Sequence, residues 1–193
     1  MPTLDGRSVV VANAATDLGR AVRAGLGRAG AHVTAQIDGS VGSAQLVADA
    51  VAAFGCLDGF VNCHELQPEM CGPAESLTLE AFIAGISTNL SEPFFGCQAA
   101  AAQMLDQVCP HMTPANRGNI VNITSVAGVL ALPGHASFCS AMAGLDVATK
   151  FSPPNGDHAA SASAPSAQVC LPPCWAVCCP QVRLRGAYRN DRS

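Results

Sequence analysis

Short apolar runs that alternate with helical stretches limit what this chain can fold into. Ser8 to Ala12 (SVVVA), His32 to Ile37, Leu57 to Asn62 and Ile120 to Thr124 have the length and apolar content of buried strands. Between the first two, Leu18, Val22 and Leu26 recur at intervals of four and make one apolar helix face. Gly25 and Gly27 weaken that helix by ~1 kcal/mol each relative to Ala, so it leans on packing, and Gly30 stops it. Ser43 to Phe54 reads as a second helix. Leu79 to Val108 reads as one or two more, containing Asn89 and interrupted at Pro93, and His135 to Thr149 as the last. Strands separated by helices pair in parallel, because a parallel neighbour needs a crossover, and such a sheet is covered on both faces. The predicted class is α/β, a Rossmann-like doubly wound parallel sheet whose ligands sit at the carboxyl ends of the strands.

Composition narrows the function. A chain of 193 residues with 49% apolar and 12% charged residues can bury one sizeable core. A net charge of −4, with no basic run before the last dozen residues, argues against a nucleic-acid or anionic-membrane partner. The opening MPTLDGRSVVVAN does not read as a signal peptide, and no apolar run reaches the ~18 residues of a membrane span, so a cytoplasmic location is expected. Of ten cysteines, Cys56, Cys63, Cys71, Cys97, Cys109 and Cys139 are scattered without paired ligand spacing and read as small buried apolar side chains. Cys170, Cys174, Cys178 and Cys179 are denser, but intervening prolines and the lack of a nearby His argue against a tetrahedral site, and no metal is predicted.

The first strand-to-helix turn, Ala12-Asn13-Ala14-Ala15-Thr16-Asp17-Leu18-Gly19-Arg20, lies in the pattern TGxxxGxG with only Gly19 of its glycines kept. Leu57-Asp58-Gly59-Phe60-Val61-Asn62-Cys63-His64-Glu65 follows LDxLVNNAG, and Asn89-Leu90-Ser91-Glu92-Pro93-Phe94 follows NLxGPF. In NIVNITSVAGVLALPGHASFCSAMAGLDVATK, Ser125 stands thirteen positions before Phe138 and Met142 follows four later, the spacing of Ser, Tyr and Lys. On these motifs, which run from the first turn to Lys150, the chain resembles the short-chain dehydrogenase/reductase family.

The resemblance implies NAD or NADP as cofactor, a small alcohol or carbonyl compound as substrate, and hydride transfer between them. It assigns cofactor contact to Asn13, Asp17, Gly19, Asp38 and Asn62, and catalysis to Ser125, Asn89 and the positions of Phe138 and Met142. Asn89 corresponds to the residue that holds a water in the family's proton relay. Asn13 can adopt the left-handed conformation at modest cost. Asp17 puts a negative charge where a pyrophosphate approaches a helix end, although it also favours the helix as a first-turn residue. Glu65 adds a second carboxylate near the expected cofactor. The span from Ala12 to Asn62 is about one strand-helix unit shorter than the family's, so the residue that reads the adenosine ribose is not identified.

Two substitutions bear directly on chemistry. The family's Tyr moves the substrate proton, while its Lys lowers the Tyr pKa and binds the nicotinamide ribose. Phe138 has no ionisable atom and Met142 neither charge nor donor. Loss of general acid-base help forfeits ~10²- to 10⁴-fold in rate. His135 and Cys139 flank the position as candidate substitutes, and a surface-loop role is preferred for His135.

Residues 151–193 lack strand or helix periodicity and are rich in Pro, Ala and Ser. Written in permitted codons with the first two bases skipped, Pro153 to Ala164 give TEWGPRGIRVS, and the same shift through Pro165 to Val169 allows AVSPG. These strings resemble the family's GIRVN strand and PG turn. The expectation is therefore a partial Rossmann-like domain over residues 1–150, then a non-homologous disordered tail over 151–193 from a shifted frame. The last strands would be absent and a sheet edge left open to association. An oxidoreductase by descent, catalytically impaired or inactive, is the predicted function. The alternatives are a non-catalytic relative acting as a binding or oligomer partner, with 79–108 and 135–149 as interface helices, and a frameshifted product with no function of its own.

Overall fold

A ladder of parallel pairings in the order β2-β1-β3-β4-β5 forms the centre of the molecule. The computed structural model describes residues 3–35, 42–63, 71–112, 117–149 and 166–171. Its strands are β1 (Ser8–Ala12), β2 (His32–Ala35), β3 (Gly59–Asn62), β4 (Asn119–Ser125) and β5 (Ser166–Leu171), and its helices are α1 (Asp17–Arg28), α2 (Ser43–Phe54), α3 (Leu79–Ile86), α4 (Glu92–Asp106) and α5 (Ala136–Thr149). The register sets Val10 beside Phe60 and Phe60 beside Ile120, so apolar side chains run across the sheet.

Alternate strand residues face opposite helix layers, as a period of two requires. Val10, Ala12, Phe60 and Ile120 pack with Leu46, Val47 and Ala50 of α2 and Ala100 and Met104 of α4. Val9, Val11, Val61 and Ile123 meet Leu18, Val22 and Leu26, the predicted face of α1. The doubly wound reading is therefore correct. Helix α4 fits closely because Gly96 leaves no room for a Cβ, which would stand 2.7 Å from the Phe60 ring and 2.8 Å from Ser43 Cβ.

Strand β3 starts two residues later than expected because the Gln107 side chain takes Leu57. The Leu57 N–H donates to Gln107 Oε1 at 2.9 Å, and Gln107 Nε2 donates to the Leu57 carbonyl at 2.7 Å. Leu79–Val108 divides as the Pro93 signal suggests. Pro93 has no N–H to give the Asn89 carbonyl, and the ladder widens into a π segment over Ser87–Ser91, with Glu92 N–H bonding Ser87 O. Pro93 then lies in the first turn of α4, where a missing donor costs little.

Two expectations are corrected. The C-terminal strands are not all absent, since β5 pairs along β4 from Ile120↔Ser166 to Ser125↔Leu171. Edge backbone groups accept any extended segment, so pairing does not need the alternating pattern that Ser166–Leu171 lacks. The edge of β4 is thus covered over those residues, and the rest of 151–193 lies outside the described residues. Cys56 and Cys109, read as buried free thiols, form a disulfide with Cα atoms 6.3 Å apart. Their separation of 53 residues carries no spacing signal, and only the packing of α2 against α4 brings them together.

The sheet order also places the shortening. β2, β1, β3 and β4 are contiguous, so no strand is missing between β1 and β3. β2 is the outermost strand on that side of the ladder.

Candidate active site

Loops at the carboxyl ends of β1, β3 and β4 bring most of the sequence-assigned residues to one end of the sheet. Asn13 follows β1 with φ 56°, the left-handed conformation expected of it. Its Nδ2 donates to the Cys63 carbonyl at 2.8 Å, which ties the first turn to the end of β3. Thr16 caps α1: its Oγ1 accepts from Gly19 N–H and donates to Asn13 O, both at 3.0 Å. Gly19 is needed here, because a Cβ would stand 2.3 Å from Asn13 O and 2.5 Å from Ala14 Cα. Close packing within the turn therefore requires Gly19, while the other two glycine positions of the pattern are filled by Asn13 and Asp17.

Asp17 sits in the first turn of α1 with its side chain 98% exposed and paired to Arg20. Arg20 also donates to Ala15 O, so this cation lies over the turn. The helix end thus presents a carboxylate and a guanidinium together. Asp38 and Glu65 lie outside the described residues.

Asn62 joins a buried polar network that sequence reasoning did not find. Its Nδ2 donates to Asn122 Oδ1 at 2.6 Å and to Pro93 O at 3.3 Å, and Asn122 Nδ2 donates to Thr149 Oγ1 at 2.9 Å. Thr149 Oγ1 in turn donates to Leu145 O at 2.7 Å. One chain of bonds thus fastens β3, β4, α4 and α5. A polar residue inside the apolar run Ile120 to Thr124 was the available signal, since a buried amide needs partners. Cys97 packs into the same network, and burial pushes its thiol up. Burial likewise pushes Cys63 up to about 12, so it stays protonated and behaves as a small apolar side chain.

Asn89 is fully buried in the π segment, and its Nδ2 donates to Gly85 O at 3.3 Å. Ser125 ends β4 and caps the 3₁₀ turn Val126–Gly128, accepting from Ala127 N–H at 3.2 Å. Phe138 and Met142 are 3% and 0% exposed, and with Ala127 and Leu145 they form an apolar cluster against Leu90, Leu132 and Cys139. The Tyr and Lys positions are therefore part of the core. His135 is bonded through Nδ1 to Pro133 O at 2.8 Å, and Cys139 Sγ accepts from Leu132 N–H.

A match to the short chain dehydrogenase model covers residues 5–151. The chain belongs to the short-chain dehydrogenase/reductase family. It is 31% identical over 169 residues to D-threitol dehydrogenase of Mycolicibacterium smegmatis, covering 74% of this chain and 61% of that protein. It is 30% identical over 164 residues to D-erythrulose reductase of Gallus gallus, covering 75% of this chain and 63% of the relative. Among solved structures, a doubly substituted Serratia marcescens short-chain dehydrogenase/reductase superposes with a TM-score of 0.64 at 25% identity, over 78% of this chain and 72% of that one. The chain thus spans about six tenths of the length of these two curated relatives.

The family generally uses NAD or NADP. The residues present fit such a cofactor in the turn backbone and fail to fit it at α5. Asn13, with its positive φ, and Gly19, packed on Asn13 O and Ala14, fix the turn after β1 where the family pattern places its glycines. Met142 offers no donor or charge to a ribose hydroxyl and is packed away from solvent. No helix among the described residues is long and apolar enough to cross a membrane.

Proposed function

We propose that this chain is a short-chain dehydrogenase/reductase by descent that no longer catalyses hydride transfer between a nicotinamide cofactor and an alcohol or carbonyl compound. One observation carries the reading: Phe138 and Met142, thirteen and seventeen positions after Ser125, are buried in one apolar cluster, so neither position offers a proton donor or a cation. Ser125 can still offer one hydroxyl, although it is engaged in capping. A single neutral donor can polarise a carbonyl but cannot replace the missing proton transfer. The substrate class inherited with the fold is a small alcohol or its carbonyl counterpart, such as the short polyol and ketose in the relatives' names. The turn at the start of α1 supports at most weak contact with a pyrophosphate, opposed by the charge of Asp17, which Arg20 offsets in part.

The test is a paired assay on the purified chain. Titration with NADH and NADPH should give no saturable fluorescence enhancement in the micromolar range. Turnover of D-threitol with NAD or NADP should stay at the rate of buffer alone. Micromolar saturation would show that Asp17 does not repel the cofactor, and measurable turnover would show that another group supplies the proton.

A second reading, as an oligomer partner without catalysis, draws on exposed apolar side chains along the predicted interface helices. Leu79 and Ile83 of α3, Phe94 and Phe95 of α4, and Val147 of α5 are exposed. Burying such side chains is worth ~1.5–3 kcal/mol each. Sedimentation of the chain should therefore show a dimer that Ile83→Asp with Phe95→Asp converts to a monomer. A monomer at all concentrations would remove this reading.

A further inference from the structure

The disulfide between Cys56 and Cys109 lies at the amino ends of the strands, away from the candidate active site. Cys56 directly precedes Leu57 in the turn from α2 to β3, and Cys109 follows Gln107 by two residues in the connection from α4 to β4. Contacts that do not involve sulfur already hold these two turns together. Gln107 imitates a peptide bond against Leu57, giving it one acceptor and one donor at 2.9 and 2.7 Å. His111 Nε2 stands 2.6 Å from Asp58 Oδ1, and Asp58 also accepts from Arg7 and from Ser8 N–H, both at 2.9 Å. Those bonds flank the cysteines on both strands of the junction. They join the two turns by contacts separate from the S–S bond, and the Cα distance of 6.3 Å lies within the ordinary range for a bridge.

We propose that Cys56 and Cys109 form a reversible oxidation site, a dithiol-disulfide pair held in alignment by Gln107 and Asp58, with a low-molecular-weight thiol or disulfide as co-reactant. Cys56 is half-buried and Cys109 is 5% exposed, so exchange begins at Cys56. In the oxidising direction the Cys56 thiolate attacks the external disulfide, forms a mixed disulfide and releases one thiolate. Cys109 then gives up its proton and attacks the Cys56 sulfur, which closes the bridge and releases the second thiolate. Two cysteines lose two electrons and two protons, and one external disulfide becomes two thiols. The reducing direction reverses each step. Closure joins the α2-β3 turn to the α4-β4 turn across 53 residues of chain, so the oxidised form resists unfolding more strongly.

The experiment equilibrates the whole chain in glutathione buffers of graded ratio, then alkylates free thiols for peptide mapping and measures Tm. The expected result is a Cys56–Cys109 linked peptide in oxidising buffer that disappears on reduction, with a Tm about 5–10 °C higher in the oxidised form. The double variant Cys56→Ser with Cys109→Ser should melt at the reduced wild-type temperature in every buffer. Gln107→Ala should slow re-formation of the bridge by roughly tenfold, since alignment supplies much of an intramolecular rate. No linked peptide, or a linked peptide with no change in Tm on reduction, overturns the proposal. An unchanged closing rate in Gln107→Ala overturns the alignment that defines the site.

Discussion

Met142→Lys is expected to destabilise the folded chain by ~3–5 kcal/mol, the penalty of leaving one uncompensated charge buried. Met142 is fully buried and packs with Ala127, Phe138 and Leu145, which offer an ammonium no partner; Asp146, also buried, follows one helical turn on in α5, so the full penalty applies where the ammonium does not reach that carboxylate. A domain of this kind holds only ~5–15 kcal/mol in total, so much of the native population is at risk. Desolvation lowers the pKa of the introduced ammonium in the folded state below its unfolded value of about 10.4. The unfolded state then binds more protons over that interval, and stability rises as pH rises through it. Urea unfolding at pH 7 and pH 10 checks both size and sign, and a variant as stable as wild type at pH 7 would refute the buried-core reading of this position. Adding Phe138→Tyr supplies the missing hydroxyl without reopening the site. The pair should therefore gain no reductase activity, and recovered turnover would show that these two exchanges were the sole defect.

Gly19→Ala should lower stability by ~1–3 kcal/mol, although alanine is the better helix former. Helix propensity favours the change by ~1 kcal/mol. Opposing it, the new Cβ would lie 2.3 Å from Asn13 O and 2.5 Å from Ala14 Cα, and backbone cannot swing aside as a flexible side chain can. Repulsion wins, and the turn that carries Asn13 and the Thr16 cap must open. Gly27→Ala is the matched control, because a Cβ there meets nothing within 4 Å, and it should stabilise by ~0.5–1 kcal/mol. Thermal unfolding separates the two, at ~2–4 °C for each kcal/mol. A rise in Tm for both substitutions would show that the first turn does not depend on close approach at Gly19.

These two sites show how unequally the chain can be read. The strand runs and the α1 face of Leu18, Val22 and Leu26 were legible because burial on one side imposes a period that survives in the order of residues. Asn13 was legible because few residues adopt a positive φ at low cost. Phe138 and Met142 were legible as chemical losses, since no environment gives those side chains a proton or a charge. Their burial was not. Nothing in FCSAM states whether the pocket around an exchanged pair stays open or closes over it.

Long-range pairing was the main blind spot. Asn62, Asn122 and Thr149 come from three separate elements, and the hydrogen bonds that join them depend on strand register and helix placement. The Cys56–Cys109 bridge likewise depends on α2 meeting α4. β5 was missed because a sheet edge recruits strands through backbone groups, which carry no side-chain signature.

By itself, the sequence determined the alternation of strands and helices, the family pattern, and the absence of an acid and a cation where the family places them. Those follow from local periodicity and from what each side chain can do chemically. Only the tertiary structure decided that Phe138 and Met142 are buried in an apolar cluster, that one amide network joins β3 and β4 to α4 and α5, and that two cysteines far apart in the chain become a bridge. Each is a contact between distant segments, fixed by how helices settle on the sheet rather than by residues adjacent in the chain.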